Sequence, residues 1–579
     1  MKSPRLPALS PRAEIALVVG ITLLAFLLRT VGHWYAPPGW RDDELSNALV
    51  VSQHVLDGEV RLYYDDASGH EGLYHWLQAG TMALFGPGVW GIRGVSILLG
   101  TLAVPLLYLL ARRMFGWPVA AISALALALS FWSLMYSRSG QRHISVTVTT
   151  LLGFYFLWKA LPARAADGSP DEGRGRMRWF LLAGVAIGVG FYTYFASRGV
   201  PLIVLAWGGI LLIRDRALWR AARGGLLVML LVAGVLSVPL IVTLVRQPEA
   251  EARVAELAKP IYDARQGDFS TLGRYALTTL SMFTHDGDDE ALYNVPHRPV
   301  FGPPGAALFW GGVLLALART LGPPRDARHA FLLLWLGAGL APGALSVPAA
   351  SLGHTLLAQP VAMIFPALAL VGAGEWLAAR WPDRRALVAL LAAGLVFLGW
   401  EGMRTVRDYW FVWPRHPFTR VLHHSDLHEA ARWLNDHAGT RNIAIGGFLS
   451  ERWDQQVMRL DLKGEGWQVR AFDPREAYLL IPEGGIVVVP EYLRGSWGVN
   501  RFGEELGVST PYALRQIEAP PGSPADDELA LFDNGLALLR AEVGEVAADG
   551  DPLVVLTHWR AAQPLELPPF PLLSKPPAP

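Results

Sequence analysis

The chain contains no cysteine. That excludes disulfides, thiol nucleophiles and thiolate-bound metals. Charge is scarce as well: 17% of the 579 residues are Asp, Glu, Lys or Arg, against roughly 25% in soluble domains. The charge is also balanced, 50 basic and 50 acidic residues, so no net field draws a nucleic acid. Lysine is nearly missing, with only Lys2, Lys159, Lys259, Lys463 and Lys575. The basic charge is therefore almost all arginine, whose planar fork suits phosphate oxyanions. No internal repeat is found, and no zinc-type HExxH pattern. The N-terminal "MKSPRLPALSPR" leads into an apolar run without the short core and clear cleavage site of a signal peptide. It reads as an uncleaved first span.

What the chain does have is apolar length, with 52% hydrophobic residues. A membrane-crossing helix needs roughly 20 apolar residues, and about eleven candidate stretches are present. They start near Ala13, Gly94, Pro118, Ile144, Trp179, Gly199, Gly224, Ala306, Ala330, Ala358 and Ala386. With the N-terminus inside, every second loop is arginine-rich: Arg112 and Arg113; Arg164, Arg174, Arg176 and Arg178; Arg214, Arg216, Arg220 and Arg223; Arg319, Arg325 and Arg328; Arg380, Arg384 and Arg385. That asymmetry predicts a multi-pass plasma (inner) membrane protein with a cytoplasmic N-terminus and an outer C-terminal region. The fold class expected is a polytopic α-helical membrane module over 1–420, with external loops 32–93 and 247–305. A soluble α/β domain follows over 421–530, and a β-rich segment with a Pro-rich tail over 531–579. Within the first loop, Glu44–Leu56 and Leu73–Phe85 have the period of amphipathic helices. "NIAIGG", "WQVRAFD" and "GIVVVP" read as strands, as do "ELALFDNGLALLRAEVG" and "DPLVVLTHW".

Four groups of residues carry possible chemistry. The first is "RDDEL", with Asp42, Asp43 and Glu44. Successive helical residues point about 100° apart, so the three acids cannot share one face. A carboxylate turned into a cavity there would have a raised pKa and suit general-base work. The second is "SGHEGLYHW", with His70, Glu71 and His75. The third lies at outer span ends: Arg138, Arg142 and His143 in "MYSRSGQRH", and Tyr192, Tyr194 and Arg198 in "FYTYFASRG". Arginine at a span end often only reaches for lipid phosphate, but these lie on the side where arginine is disfavoured. The fourth is "HDGDDEALYNVPHRP", with Asp288, Asn294 and Arg298. It is acidic but lacks the twelve-residue spacing of a calcium loop.

In this order the four groups resemble the integral-membrane C-type (GT-C) glycosyltransferases, specifically bacterial members of the protein O-mannosyltransferase and lipid A aminoarabinose transferase superfamily. Asp43-Glu44 is similar to the acidic pair of the family's first external loop. "HEGLYHWLQAGTMALFGPGVWGIRG", "YSRSGQR", "GVGFYTYFASRGVP", "GDDEALYNVPHRPVF" and "APGALSVPAASLGHTLLAQP" resemble the motifs that follow. Leu357 stands where the family has Arg, and Glu71-Gly72 where it has Pro-Pro. The resemblance implies inverting transfer of a sugar from a polyprenyl-phosphate donor to a protein, lipid or glycan hydroxyl on the outer face of the membrane. It implies Asp43, with Glu44, as the catalytic acids. Arg138, Arg142, Arg198 and His354 would hold the donor phosphate. Asp42, His70, Glu71, Tyr192, Tyr194, Asp288 and Asn294 would bind substrate. A divalent metal is compatible with these acids, although no signature demands one.

Two other classes fit parts of the pattern. A transporter or flippase of lipid-linked sugars would show related halves and charges at mid-membrane. Here the halves are unrelated and the acids lie in external loops. A membrane anchor for the C-terminal domain would not need acids and arginines spread over several loops.

Overall fold

The computed structural model describes residues 9–66, 69–161, 176–247, 258–322, 326–380, 384–446, 451–472, 479, 481, 483–490, 504–506, 512–518, 529–532, 536–543 and 555–561. Arg164, Arg174, Arg325 and the Pro-rich end lie outside them. The chain divides into two compact units, Met1–His428 and Glu429–Pro579.

The first unit is helical, and each apolar stretch named above lies in a helix. Among the described residues, seven helices are long and apolar enough to cross a membrane: Pro11–Thr30, Val89–Phe115, Phe195–Arg214, Arg216–Arg246, Pro303–Leu321, Leu356–Arg380 and Val388–Arg415. Trp117–Leu129 and Phe131–Arg138 make an eighth if counted as one span, bent by 56°. The difference from about eleven spans expected on run length lies in three helices. Ile144–Ala160 and Met177–Gly190 are apolar but shorter. Ala327–Leu345 carries Arg328 and His329 in its first turn, which lowers its apolarity. The chain is thus a multi-pass membrane protein.

Lipid tails are as apolar as leucine, so close packing rather than water exclusion joins such helices. The first helix starts at the Ser10 cap with Pro11 next and buries only Ile21, Ala25 and Arg29. Ile15, Val19, Leu23 and Leu27 stay at least half exposed, as a lipid-facing surface does. Small residues allow the close contacts. A Cβ on Gly312 would lie 2.0 Å from the carbonyl oxygen of Phe365, so Pro303–Leu321 and Ile364–Arg380 touch backbone to backbone there. Gly312→Ala is expected to destabilise the unit by about 1–3 kcal/mol through overpacking. Thermal melting in detergent checks this; an unchanged midpoint would contradict it.

Buried tryptophans tie the helices to the loops that form the candidate site. Trp132 Nε1 donates to Leu352 O (2.8 Å), Trp335 Nε1 to Leu357 O (2.8 Å) and Trp413 Nε1 to Ala291 O (2.7 Å). In the first external loop, Asp42–Leu45, Ser46–Val51 and Ser52–Leu56 run on as one helical stretch. Tyr63–Tyr64 pairs antiparallel with His70–Glu71, and the helix Gly72–Phe85 follows. Helices Lys259–Arg265 and Ser270–Ser281 precede the acidic turn of the second loop.

The second unit is α/β. Asn442–Gly446 lies parallel to both Gln468–Phe472 and Gly485–Pro490. The helix Glu451–Asp461 makes the crossover between the first two. Tyr512–Ile517 continues the sheet antiparallel, and Glu504–Glu505 closes its edge. Ala444, Phe472, Ile481, Val487, Val489, Ala513 and Ile517 form its core. A separate antiparallel sheet joins Ala530–Leu531, Leu536–Val543 and Val555–Ala561.

Candidate active site

The three acids of "RDDEL" part company because they open a helix. Glu44 is fully buried and accepts four hydrogen bonds: from Arg93 Nε (2.7 Å) and Nη2 (2.8 Å), from the Gly140 amide (2.6 Å) and from the Arg41 amide (3.3 Å). Those four donors occupy acceptor positions on both carboxylate oxygens. One turn on, Asn47 Nδ2 donates to Gly140 O (2.9 Å). Glu44 and Asn47 thus share the helix face that pins the Ser139–His143 turn. Asp43 points elsewhere. Its side chain is 43% exposed and accepts from Arg41 Nη2 (3.1 Å) and Tyr293 Oη (2.5 Å). Asp42 lies 3.6 Å from His424 Nε2. Its own side chain is 55% exposed.

From Asp43 a chain of rings leads to the arginines. Tyr293 stacks on Tyr136 (5.5 Å between centroids), Tyr136 meets His143 (5.5 Å), and His143 meets Tyr194 (4.3 Å). The Arg142 guanidinium lies over Tyr194 at 5.5 Å. Arg142 Nη1 donates to Glu71 Oε2, and Arg198 Nη2 donates to Glu71 Oε1 (3.2 Å). Acid and cations therefore sit along one connected wall. Burial and the neighbouring Asp43 push the Tyr293 phenol well above its ordinary value, so Tyr293 remains the donor to Asp43.

Several residues singled out in the sequence hold the site rather than face it. Arg138 is fully buried, donates to Leu28 O (2.7 Å) and Ala36 O (2.6 Å), and packs on Tyr409 and Trp410. Its terminal nitrogens clamp the end of the first span and the loop beyond it. Tyr192 Oη donates to Leu236 O (2.6 Å). Asn294 is buried and donates to Asp288 O and Arg298 O (2.8 Å each), closing its own loop. His70 Nδ1 lies 3.1 Å from His75 Nε2, and burial pushes His75 down to about 3. The pair is a packed hydrogen-bonded unit of the first loop. His354 sits beside Ser346 Oγ (2.9 Å) on the loop that Trp132 and Trp335 fix. The adjoining Gly353 leaves no room for a Cβ against Tyr136 Oη, 2.8 Å away. Among the described residues, no three His, Asp or Glu side chains converge as a metal site would require.

Asp288 is buried at the junction of two loops. It accepts from the amides of Glu290 (3.0 Å) and Leu352 (2.8 Å), and burial pushes its pKa up to about 7. A carboxyl whose pKa rises on folding binds its proton more tightly in the native state. Its stabilisation is complete at low pH and is lost as the pH climbs from 3.8 through about 7. The melting midpoint is therefore expected to fall as the pH rises from about 4 to about 7. In Asp288→Asn the slope should flatten; an equal slope in both proteins would contradict the assignment.

The sequence does not single out two residues of this wall, Tyr293 and Tyr136, or Arg93 behind it. Tyr293 adjoins Asn294 in a quoted loop, and Tyr136 stands two residues before Arg138. Arg93 was quoted without a role. Buried aromatic side chains between charged motifs are the one signal that points to the tyrosines.

Residues 71–242 match the family model described as dolichyl-phosphate-mannose-protein mannosyltransferase. An undecaprenyl phosphate-alpha-4-amino-4-deoxy-L-arabinose arabinosyl transferase of Pseudomonas fluorescens is 30% identical over 211 residues, 34% of this chain and 35% of that protein. The corresponding enzyme of Pseudomonas aeruginosa is 29% identical over 196 residues, 31% of this chain and 33% of that protein. Over these stretches the chain is similar to that family and to those enzymes. The matches span about a third of the length of these relatives, so they do not name the sugar. The fold agrees: the apo oligosaccharyltransferase of Archaeoglobus fulgidus superposes with a TM-score of 0.53 at 14% identity, over 87% of this chain and 74% of that one.

Proposed function

We propose that the protein is an inverting glycosyltransferase that moves a sugar from a polyprenyl-phosphate donor to an acceptor hydroxyl at the outer face of the inner membrane. The observation that carries this reading is the wall from Asp43, half open to solvent, through four rings to the Arg142 and Arg198 pair. The acceptor oxygen attacks the anomeric carbon as its proton passes to Asp43. The bond from that carbon to the phosphate oxygen breaks, and the leaving phosphate keeps the electron pair. Arg142 and Arg198 stabilise the charge that develops on it, with His354 on the adjoining loop. Tyr293 and Arg41 orient Asp43. Glu44, Arg93 and Asn47 act behind them, fixing the turn that carries Arg142. Tyr194 and Asp42 face the substrates. The arginine-rich loops around Arg112, Arg220, Arg319 and Arg380 support a cytoplasmic N-terminus, which puts this wall outside. The acceptor is a protein, lipid or glycan hydroxyl.

Purified protein in vesicles, offered a panel of labelled polyprenyl-phosphate sugars and a membrane extract as acceptor, tests the reading. Label moving from lipid to acceptor supports it. Labelled lipid crossing the bilayer unchanged, with no transfer from any donor, would replace it with the flippase reading.

A further inference from the structure

The candidate phosphate site carries its own anion. Glu71 is 2% exposed and lies between two arginines that are 15% and 22% exposed. The arginines come from separate places. Arg142 is in the turn before Ile144–Ala160, and Arg198 is in the single turn Phe195–Gly199. Each also has a hold that does not involve Glu71. Arg142 Nη2 donates to Gly69 O (3.2 Å) and its guanidinium lies over Tyr194, while Arg198 lies over Phe195 at 4.7 Å. The carboxylate closes the buried side of the pair, and the open side keeps one net positive charge.

That charge matters because the proposed reaction changes the charge of the lipid. A sugar joined through a phosphodiester carries one negative charge. The phosphate monoester left after transfer approaches two at neutral pH, its second pKa being about 6. Two uncompensated arginines would hold the product more firmly than the donor.

We propose that Glu71 is a specificity-determining counter-ion, which matches the arginine pair to a singly charged phosphodiester donor and weakens its hold on the doubly charged phosphate product. The inference rests on the glycosyltransferase reading above. It predicts that removing the carboxylate slows product release and opens the site to diphosphate-linked lipids.

The test uses the purified full chain in detergent at pH 8. The probes are a polyprenyl phosphate monoester and its methyl phosphodiester. Glu71→Gln is expected to bind the monoester about tenfold or more tightly than wild type, since a neighbouring charge is removed from a poorly screened site. The diester should gain less, and product inhibition of turnover should deepen while Glu71→Asp stays near wild type. A folded Glu71→Gln protein that binds the monoester no more tightly than wild type overturns the inference. Should Glu71→Gln fail to fold, wild type alone decides: at pH 8 it is expected to bind the monoester and the diester within about threefold of each other on the same charge argument, and a tenfold preference for the monoester overturns the proposal. Failure of wild type to bind either lipid removes the glycosyltransferase reading itself, an outcome distinct from unchanged affinity in the variant.

Discussion

Replacing Asp43 with Asn is expected to lower transfer by about two to four orders of magnitude, the range a positioned general base contributes, while the protein still folds. The two halves of that expectation have separate sources. The loss of activity follows because an amide cannot take the acceptor proton. The retained fold follows from exposure: the Asp43 side chain is 43% exposed, and its partners Arg41 and Tyr293 can donate to an amide oxygen in place of a carboxylate oxygen. Initial rates with saturating donor, read beside thermal melting, separate the effects. A variant that melts like wild type and turns over at the wild-type rate would move the base to Asp42, the other solvent-facing acid of the motif.

Glu44→Ala should fail in the opposite way, by loss of the folded protein. The Glu44–Arg93 pair is closed off, with side-chain exposures of 0% and 2%. Removing one partner of a buried pair leaves the other charge uncompensated and costs roughly 3–5 kcal/mol. The Gly140 and Arg41 amides lose an acceptor in the same step. Low folded yield and a lower melting midpoint are expected for Glu44→Ala and Arg93→Ala alike. The double variant should lie closer to either single one than to their sum, because both delete the same pair. A stable, inactive Glu44→Ala protein would instead make Glu44 part of the chemistry.

These contrasts mark what could be read from the chain alone. Runs of apolar residues are local, and each became a helix. The strands of the second unit were equally legible, because β-branched runs such as "GIVVVP" announce themselves. The direction of each charged side chain was not legible, since long-range partners decide it. Glu44 turns inward to meet Arg93 and Gly140, whereas Asp43, its neighbour, turns out to Tyr293. Arg138 and Arg142 stand four residues apart. The helix Phe131–Arg138 ends at the first and aims it into the protein, while the second lies in the open turn beyond. Glu71 reads as a sugar-binding acid until Arg198, far along the chain, closes on it.

In the proposed mechanism Asp43 and the arginine pair serve one ligand. The most direct measurement is a structure of the full chain with bound polyprenyl phosphate. The predicted result has the phosphate on Arg142 and Arg198, the lipid tail leaving toward the bilayer and the freed oxygen turned along the Tyr194–Tyr293 wall toward Asp43. A phosphate bound elsewhere, with Glu71 still closing both arginines, would contradict it.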